Sequence, residues 1–350
     1  MPSSWARTSI LGFALALGAA CSACAPRAEA PSRAVKAETA RKVEPPVGVA
    51  AAIVEPTAPT PVVEAPIEWE RSWRGFGVSR CAYLRPVNDG DFVGADGGVD
   101  VVVHFHAGQM SEREMKASGV RGVFVSCGYG MGTTPYSAAF EDPKRFGRMM
   151  KRLMAAIGRS VQRSDVHLRR LALVSWSAGY AAINRILAVP EWYEATDAVV
   201  LLDSLHARYV DAEPSAVGRK AKAAPVSARG ADQVDVRQLR RFARFASDAV
   251  EGKKTMVITH SSIVPPDYAS TTEATAALLA EVGVVPTEDP GTEESPRGMS
   301  LTVRADAGNL HVRGFRGTGP RDHFDHLYFV GDALRSWLVP RWYTPGGERP

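Results

Sequence analysis

The sequence predicts an α/β fold: a mostly parallel sheet with helices on both faces, in a single domain. Two observations carry that expectation. Short, wholly apolar runs such as VVV at 101–103, LALV at 171–174, VVLL at 199–202 and MVI at 256–258 read as strands buried on both sides. Between them lie segments whose apolar residues recur at helical spacing, the pattern of strands alternating with crossover helices.

Taken in chain order, Arg7 and the apolar run ILGFALALGAA at 10–20 come first. The run is too short for a membrane span and is followed by small residues, so residues 1–24 are expected to be a signal peptide. LGAACSAC resembles a bacterial lipoprotein signal, in which a cysteine becomes the lipidated first mature residue. Cys21 has Leu17 four positions before it, with Gly18 at minus three, and Cys24 has Ala23 before it. The resemblance implies an exported chain, lipid-anchored in the cell envelope through Cys21 or Cys24; a periplasmic or secreted protein is the alternative. Residues 25–66 hold eight of the 24 prolines, and no Phe, Trp or Tyr occurs from 15 to 68. Such a segment lacks the bulky side chains that offset chain entropy and is expected to be a disordered, semi-extended linker.

The folded domain is expected over 67–350. An opening hairpin is placed in 67–98, then a strand at 99–106, a short helix at 111–117 and a strand at 122–127. A helix at 143–158 follows, its Phe146, Met149, Met150, Leu153, Met154 and Ile157 forming a core stripe. A strand at 171–175 leads directly into a helix ending before Pro190. Further strands are expected at 199–203, 255–260 and 309–312, with helices at 235–250, 271–282 and about 326–338. The Ala/Lys/Pro/Gly-rich stretch after Val210 interrupts this alternation as a mobile cap or a surface loop. An exported location permits a disulfide between Cys81 and Cys127; two separate buried thiols are the other reading.

The sharpest local feature is SWSAGYAAINRIL from Ser175, between an apolar strand and an apolar helix. Small residues at 175 and 179 let strand and helix approach, and the bend lifts the Ser177 hydroxyl above the sheet. This resembles the nucleophile elbow of the α/β-hydrolase superfamily, GxSxG, with Ser175 in place of the first glycine. The resemblance covers about 95–345. It implies a serine hydrolase that cleaves an ester or amide through an acyl-enzyme, without a cofactor. It also implies an oxyanion hole built from the amides of Ala178 and either Gly108 or Gln109, the latter in HAG at the end of the first long strand. The family order is serine, acid, histidine. His323 is the expected base, sitting before the apolar helix, with His326 as alternative. Asp203, at the end of its strand, is the expected acid, with Asp267 as alternative. Trp176, Tyr129 and Tyr136 are candidate substrate contacts.

A net charge of +4, from 42 basic and 38 acidic residues, and the lack of a basic run exclude a nucleic-acid surface. The expected partner is a small-molecule or envelope-derived ester or amide, and oligomeric state is left open. Two alternatives stand beside this reading. His104, His106, His206, Asp322, His323, Asp325 and His326 are potential ligands of a metal-dependent hydrolase, although no metal site is expected. A noncatalytic envelope-binding protein is the second.

Overall fold

Strands form where the apolar runs predict them. A computed structural model describes residues 66–210, 230–289, 291 and 298–343. The expected signal segment with Cys21 and Cys24, almost all of the linker, and the stretch at 211–229 lie outside the described residues. Ten strands are described: β1 (Arg74–Gly75), β2 (Cys81–Leu84), β3 (Gly98–Phe105), β4 (Val123–Cys127), β5 (His167–Trp176), β6 (Thr196–Leu202), β7 (Thr255–Ser261), β8 (Thr287–Glu288), β9 (Leu301–Ala307) and β10 (Leu310–Phe315). They make one sheet in the order β1-β2-β4-β3-β5-β6-β7-β10-β9-β8. The six central strands, β4 to β10 in that order, are parallel; β2 and β9 attach antiparallel to either side.

The helices are α1 (Glu112–Lys116), α2 (Thr133–Ala139), α3 (Arg145–Ser160), α4 (Tyr180–Ile186), α5 (Pro190–Ala195), α6 (Arg240–Val250), α7 (Thr271–Glu281), α8 (Pro320–Tyr328), α9 (Val330–Ala333) and α10 (Val339–Tyr343). Their buried residues divide between the two faces of the sheet. Leu171 and Leu173 of β5 join a cluster with Met149, Ile183, Phe242 and Leu278, from α3, α4, α6 and α7. Ala172 and Val174 point the other way, into a cluster with Met115, Leu327, Val330 and Trp342, from α1, α8, α9 and α10. These four β5 side chains are fully buried, which is why the run carries no polar alternation; each buried Leu or Val contributes roughly 1.5–3 kcal/mol. This is the expected α/β-hydrolase-like class, a mostly parallel sheet with helices on both faces.

Two expectations are corrected. The last strand is not single: β9 pairs antiparallel with β10, Ala307 opposite Leu310, through a turn at Gly308 and Asn309. Alternating apolar and polar residues flanking that Gly-Asn pair are a hairpin signal. The late helix begins at Pro320 rather than near His326, so His323 lies inside α8. Proline is suited to the first helical position, and the Asp322 carboxylate accepts the amides of Thr318 and Gly319 at 2.8 and 2.9 Å.

Cys81 and Cys127 face each other directly across β2 and β4, their Cα atoms 4.2 Å apart, and are joined in a disulfide. The bond closes a separation of 46 residues, restricting the unfolded chain. Replacing both cysteines by alanine is expected to lower unfolding free energy by about 2–4 kcal/mol, measured by denaturant titration of the oxidised protein and the variant.

Candidate active site

The carboxyl ends of β3, β5 and β6 are level, with Phe105 opposite Ser175 and Ser175 opposite Leu201. Whatever follows these residues therefore emerges on one edge. After Trp176 the chain turns at once into a single helical turn, Ser177–Gly179, and then α4. Ser177 takes φ 51°, a left-handed conformation that costs a non-glycine residue of order 1–3 kcal/mol. Gly179 is required here: a Cβ on it would lie 2.3 Å from the Phe105 carbonyl oxygen. A hydroxyl chain braces the bend. Ser204 Oγ donates to the Ser177 carbonyl at 2.7 Å, so Ser175 Oγ, 2.7 Å from Ser204 Oγ, is the donor in that contact. Ser175, fully buried, thus replaces the usual glycine with a side chain that ties the elbow to the residue after Asp203.

The loop after β3 is bent by two successive left-handed residues, His106 at φ 73° and Ala107 at φ 58°. A 3-10 turn then runs over Gly108–Ser111. Its first amides have no preceding helical turn to bond, which leaves Gly108 and Gln109 equally placed as donors. Gly108 packs so closely on His104 that an added Cβ would lie 2.8 Å from the histidine Cβ.

Asp203, at φ 44° just past β6, is 2% exposed. His323 Nδ1 lies 2.6 Å from Asp203 Oδ2 although 120 residues separate them. The other acceptor sites of the carboxylate take Ser261 N at 3.0 Å, Ser261 Oγ at 2.9 Å and Thr271 Oγ1 at 2.5 Å. Burial raises the Asp203 carboxyl pKa, but the hydrogen bonds from His323 and Thr271 outweigh it and hold it well below the usual carboxylate range. An ionised carboxylate only accepts, so His323 donates from Nδ1, which leaves Nε2 as its basic atom. The His323 carbonyl is held by the Trp176 indole N–H at 2.8 Å.

The alternatives fall elsewhere. Asp267 is exposed on the loop after β7 and hydrogen-bonds neither late histidine. His326, one turn beyond His323 in α8, is 1% exposed and pairs with Thr259 Oγ1 at 2.7 Å. Tyr136 is fully buried and cannot form an open wall; its hydroxyl lies 2.7 Å from His106 Nδ1. Trp176 is 5% exposed and is a floor, its ring 5.0 Å from His106, 4.5 Å from His323 and 4.9 Å from Phe324. Tyr129 keeps partial exposure, with its hydroxyl directed at Cys81 Sγ, 3.3 Å away. Among the described residues no three His, Cys, Asp or Glu side chains converge as metal ligands.

Sequence reasoning passed over several contributors. Ser261, Thr271 and Ser204 are signalled only by hydroxyl residues beside strand ends, in THSS, STT and DS. An aromatic group of Tyr180, His206 and Tyr268 borders the site, with His206 5.4 Å from Tyr180 and 5.3 Å from Tyr268.

No protein-family model matches the chain, and no curated protein sequence matches it. Solved structures similar to it include a thermostable esterase, at 12% identity and TM-score 0.37, covering 75% of this chain and 58% of that one. A thermophilic and thermostable carboxylesterase cloned from a metagenomic library has 14% identity and TM-score 0.38, covering 79% and 91%. Pyrococcus horikoshii acylaminoacyl peptidase has 13% identity and TM-score 0.42, covering 81% and 44%. The chain therefore spans well under two thirds of the first and third of these proteins.

Burial lowers the pKa of His104 to about 3, and those of His106, His206 and His260 to about 4, from 6.5. These rings stay neutral in the folded protein while the unfolded chain takes up protons below 6.5. Their contribution to stability is therefore complete above pH 6.5 and is lost as pH falls toward 4. Asp203, with a depressed pKa, adds a loss below about pH 4. Neither His104 nitrogen has a hydrogen-bond partner. Thermal unfolding of His104→Leu across this range is expected to give a shallower acid slope than the parent protein.

Proposed function

We propose that the chain is a serine hydrolase that cleaves an ester or amide through an acyl-enzyme intermediate. Ser177 is the nucleophile, His323 the base and Asp203 the acid. The observation that carries the reading is the pairing of a strained serine at a strand–helix bend with a histidine fixed by a buried carboxylate on the same sheet edge. His323 Nε2 takes the Ser177 proton as Oγ attacks the carbonyl carbon. The amides of Ala178 and of Gly108 or Gln109 hold the oxyanion. His323 then protonates the leaving group, and water resolves the acyl-enzyme by the reverse route. Asp203 keeps His323 in the tautomer that leaves Nε2 free and stabilises the imidazolium.

The rim supports a substrate with an apolar portion. Met110, Met131, Val264, Tyr268 and Phe324, on segments that follow β3, β4, β7 and β10, are all exposed. The apolar run at 10–20 with Cys21 and Cys24 supports placing the enzyme in the bacterial cell envelope, lipid-anchored, so that an envelope-derived ester or amide is within reach.

Hydrolysis of short-chain p-nitrophenyl esters tests the assignment. Ser177→Ala is expected to fall to the level left by binding and oxyanion stabilisation alone, with a kcat loss on the order of 10⁴-fold or more. Asp203→Asn is expected to lose about 10³- to 10⁴-fold, while Asp267→Asn keeps parental activity. Bound zinc together with full turnover of Ser177→Ala would overturn the reading in favour of a metal-dependent hydrolase.

A further inference from the structure

The mechanism leaves His106 unused, although it sits beside the proposed oxyanion loop and is the best-braced histidine outside the Asp203–His323 pair. Its amide donates to the Cys127 carbonyl at 3.0 Å. Its ring stacks on the Trp176 indole, 5.0 Å between centroids and 11° between planes. Trp176 immediately precedes Ser177, and the same indole meets the His323 ring at 4.5 Å. The left-handed backbone at His106 and Ala107 lays the imidazole over this floor where the strand ends.

The hydrogen bonds around the ring specify where its proton resides. The Tyr136 hydroxyl accepts the Tyr129 amide at 3.2 Å, so its own proton is directed to His106 Nδ1, 2.7 Å away. Burial and the neighbouring His323 keep the imidazole neutral above about pH 4. A neutral imidazole that accepts at Nδ1 carries its hydrogen on Nε2. Among the described residues Nε2 has no acceptor, and it is not one of the nitrogens sealed from solvent. His104, two residues earlier on the same strand, offers a contrast: both of its nitrogens are sealed and unpaired. One edge of His106 is therefore fixed by a buried tyrosine, and the other presents an unspent N–H at the edge where the proposed reaction occurs.

We propose that His106 is a further catalytic residue, its Nε2–H donating a hydrogen bond to the substrate carbonyl oxygen and supplementing the backbone amides of the oxyanion hole. Tyr136 is the positioning residue that fixes its tautomer. The assignment rests on the serine-hydrolase reading. It adds a neutral side-chain donor, held without reorganisation, where negative charge develops.

Kinetics on a p-nitrophenyl ester, with phosphonate labelling of Ser177 and thermal unfolding run in parallel, test it. His106→Phe keeps an aromatic ring over Trp176 and removes the donor. It is expected to lower kcat roughly 100-fold, the scale of one lost oxyanion donor, with KM little changed and the melting temperature near that of the parent. His106→Gln, whose amide nitrogen can occupy the Nε2 position, is expected to recover part of that loss. Tyr136→Phe is expected to lower kcat by a smaller factor. A folded His106→Phe with parental kcat, or a loss that Gln does not relieve, would overturn the proposal. If the parent protein itself turns over no ester and takes no phosphonate, the hydrolase reading fails, and this assignment falls with it.

Discussion

The carboxyl edge of the sheet is arranged around one buried negative charge, the carboxylate of Asp203. Taking an isolated carboxylate out of water costs several kcal/mol even after the protein relaxes, so its position is tenable only when its lone pairs are filled. They are filled by the Ser261 amide and hydroxyl, the Thr271 hydroxyl and His323 Nδ1. Those donors come from the end of β7, the first turn of α7 and the first turn of α8. A single charge thereby fixes where two helices begin and which nitrogen of His323 is left basic. The residue beside it, Ser204, carries the constraint to the elbow through the Ser177 carbonyl. Removing the charge would loosen an acid, a base and a nucleophile together.

Local strain is concentrated on the same edge. Ser177, Asp203, His106 and Ala107 all have positive φ, and each directly follows a central parallel strand or sits one residue beyond it. Rigid strands fully buried on both faces can hold such conformations, because relaxing one would break ladder pairing and open packed layers. The same rigidity explains why glycine stands at 108 and 179, where the loop after β3 and the start of α4 press on neighbouring atoms.

Much of this was legible in the sequence, for a physical reason. Strands buried on both faces must be wholly apolar, so β3, β5, β6 and β7 announce themselves, and whatever follows them must emerge on one edge. That singles out Ser177 and Asp203 before their partners are located. Other features depend on contacts remote in the chain. Choosing Asp203 over Asp267 as the partner of His323 requires knowing where α8 lies, and the Gly319-Pro320 start of α8 hides inside a turn-rich run. Tyr136 reads as a loop aromatic, yet it is buried beneath His106, because the short helix that carries it folds back under the loop after β3. The hydroxyls of Ser175 and Ser204 have ordinary sequence surroundings, and only their 2.7 Å contact reveals the brace. Cys81 and Cys127 become partners only through the antiparallel pairing of β2 with β4.

The central claim is that the hydroxyl of Ser177 is activated for covalent attack. Intact-mass analysis after exposure to a fluorophosphonate, followed by peptide mapping, addresses it whatever the natural substrate is. The account predicts one adduct per chain, located on Ser177 and absent from His323→Ala. A folded protein that takes no adduct, or one labelled at another serine, would contradict it.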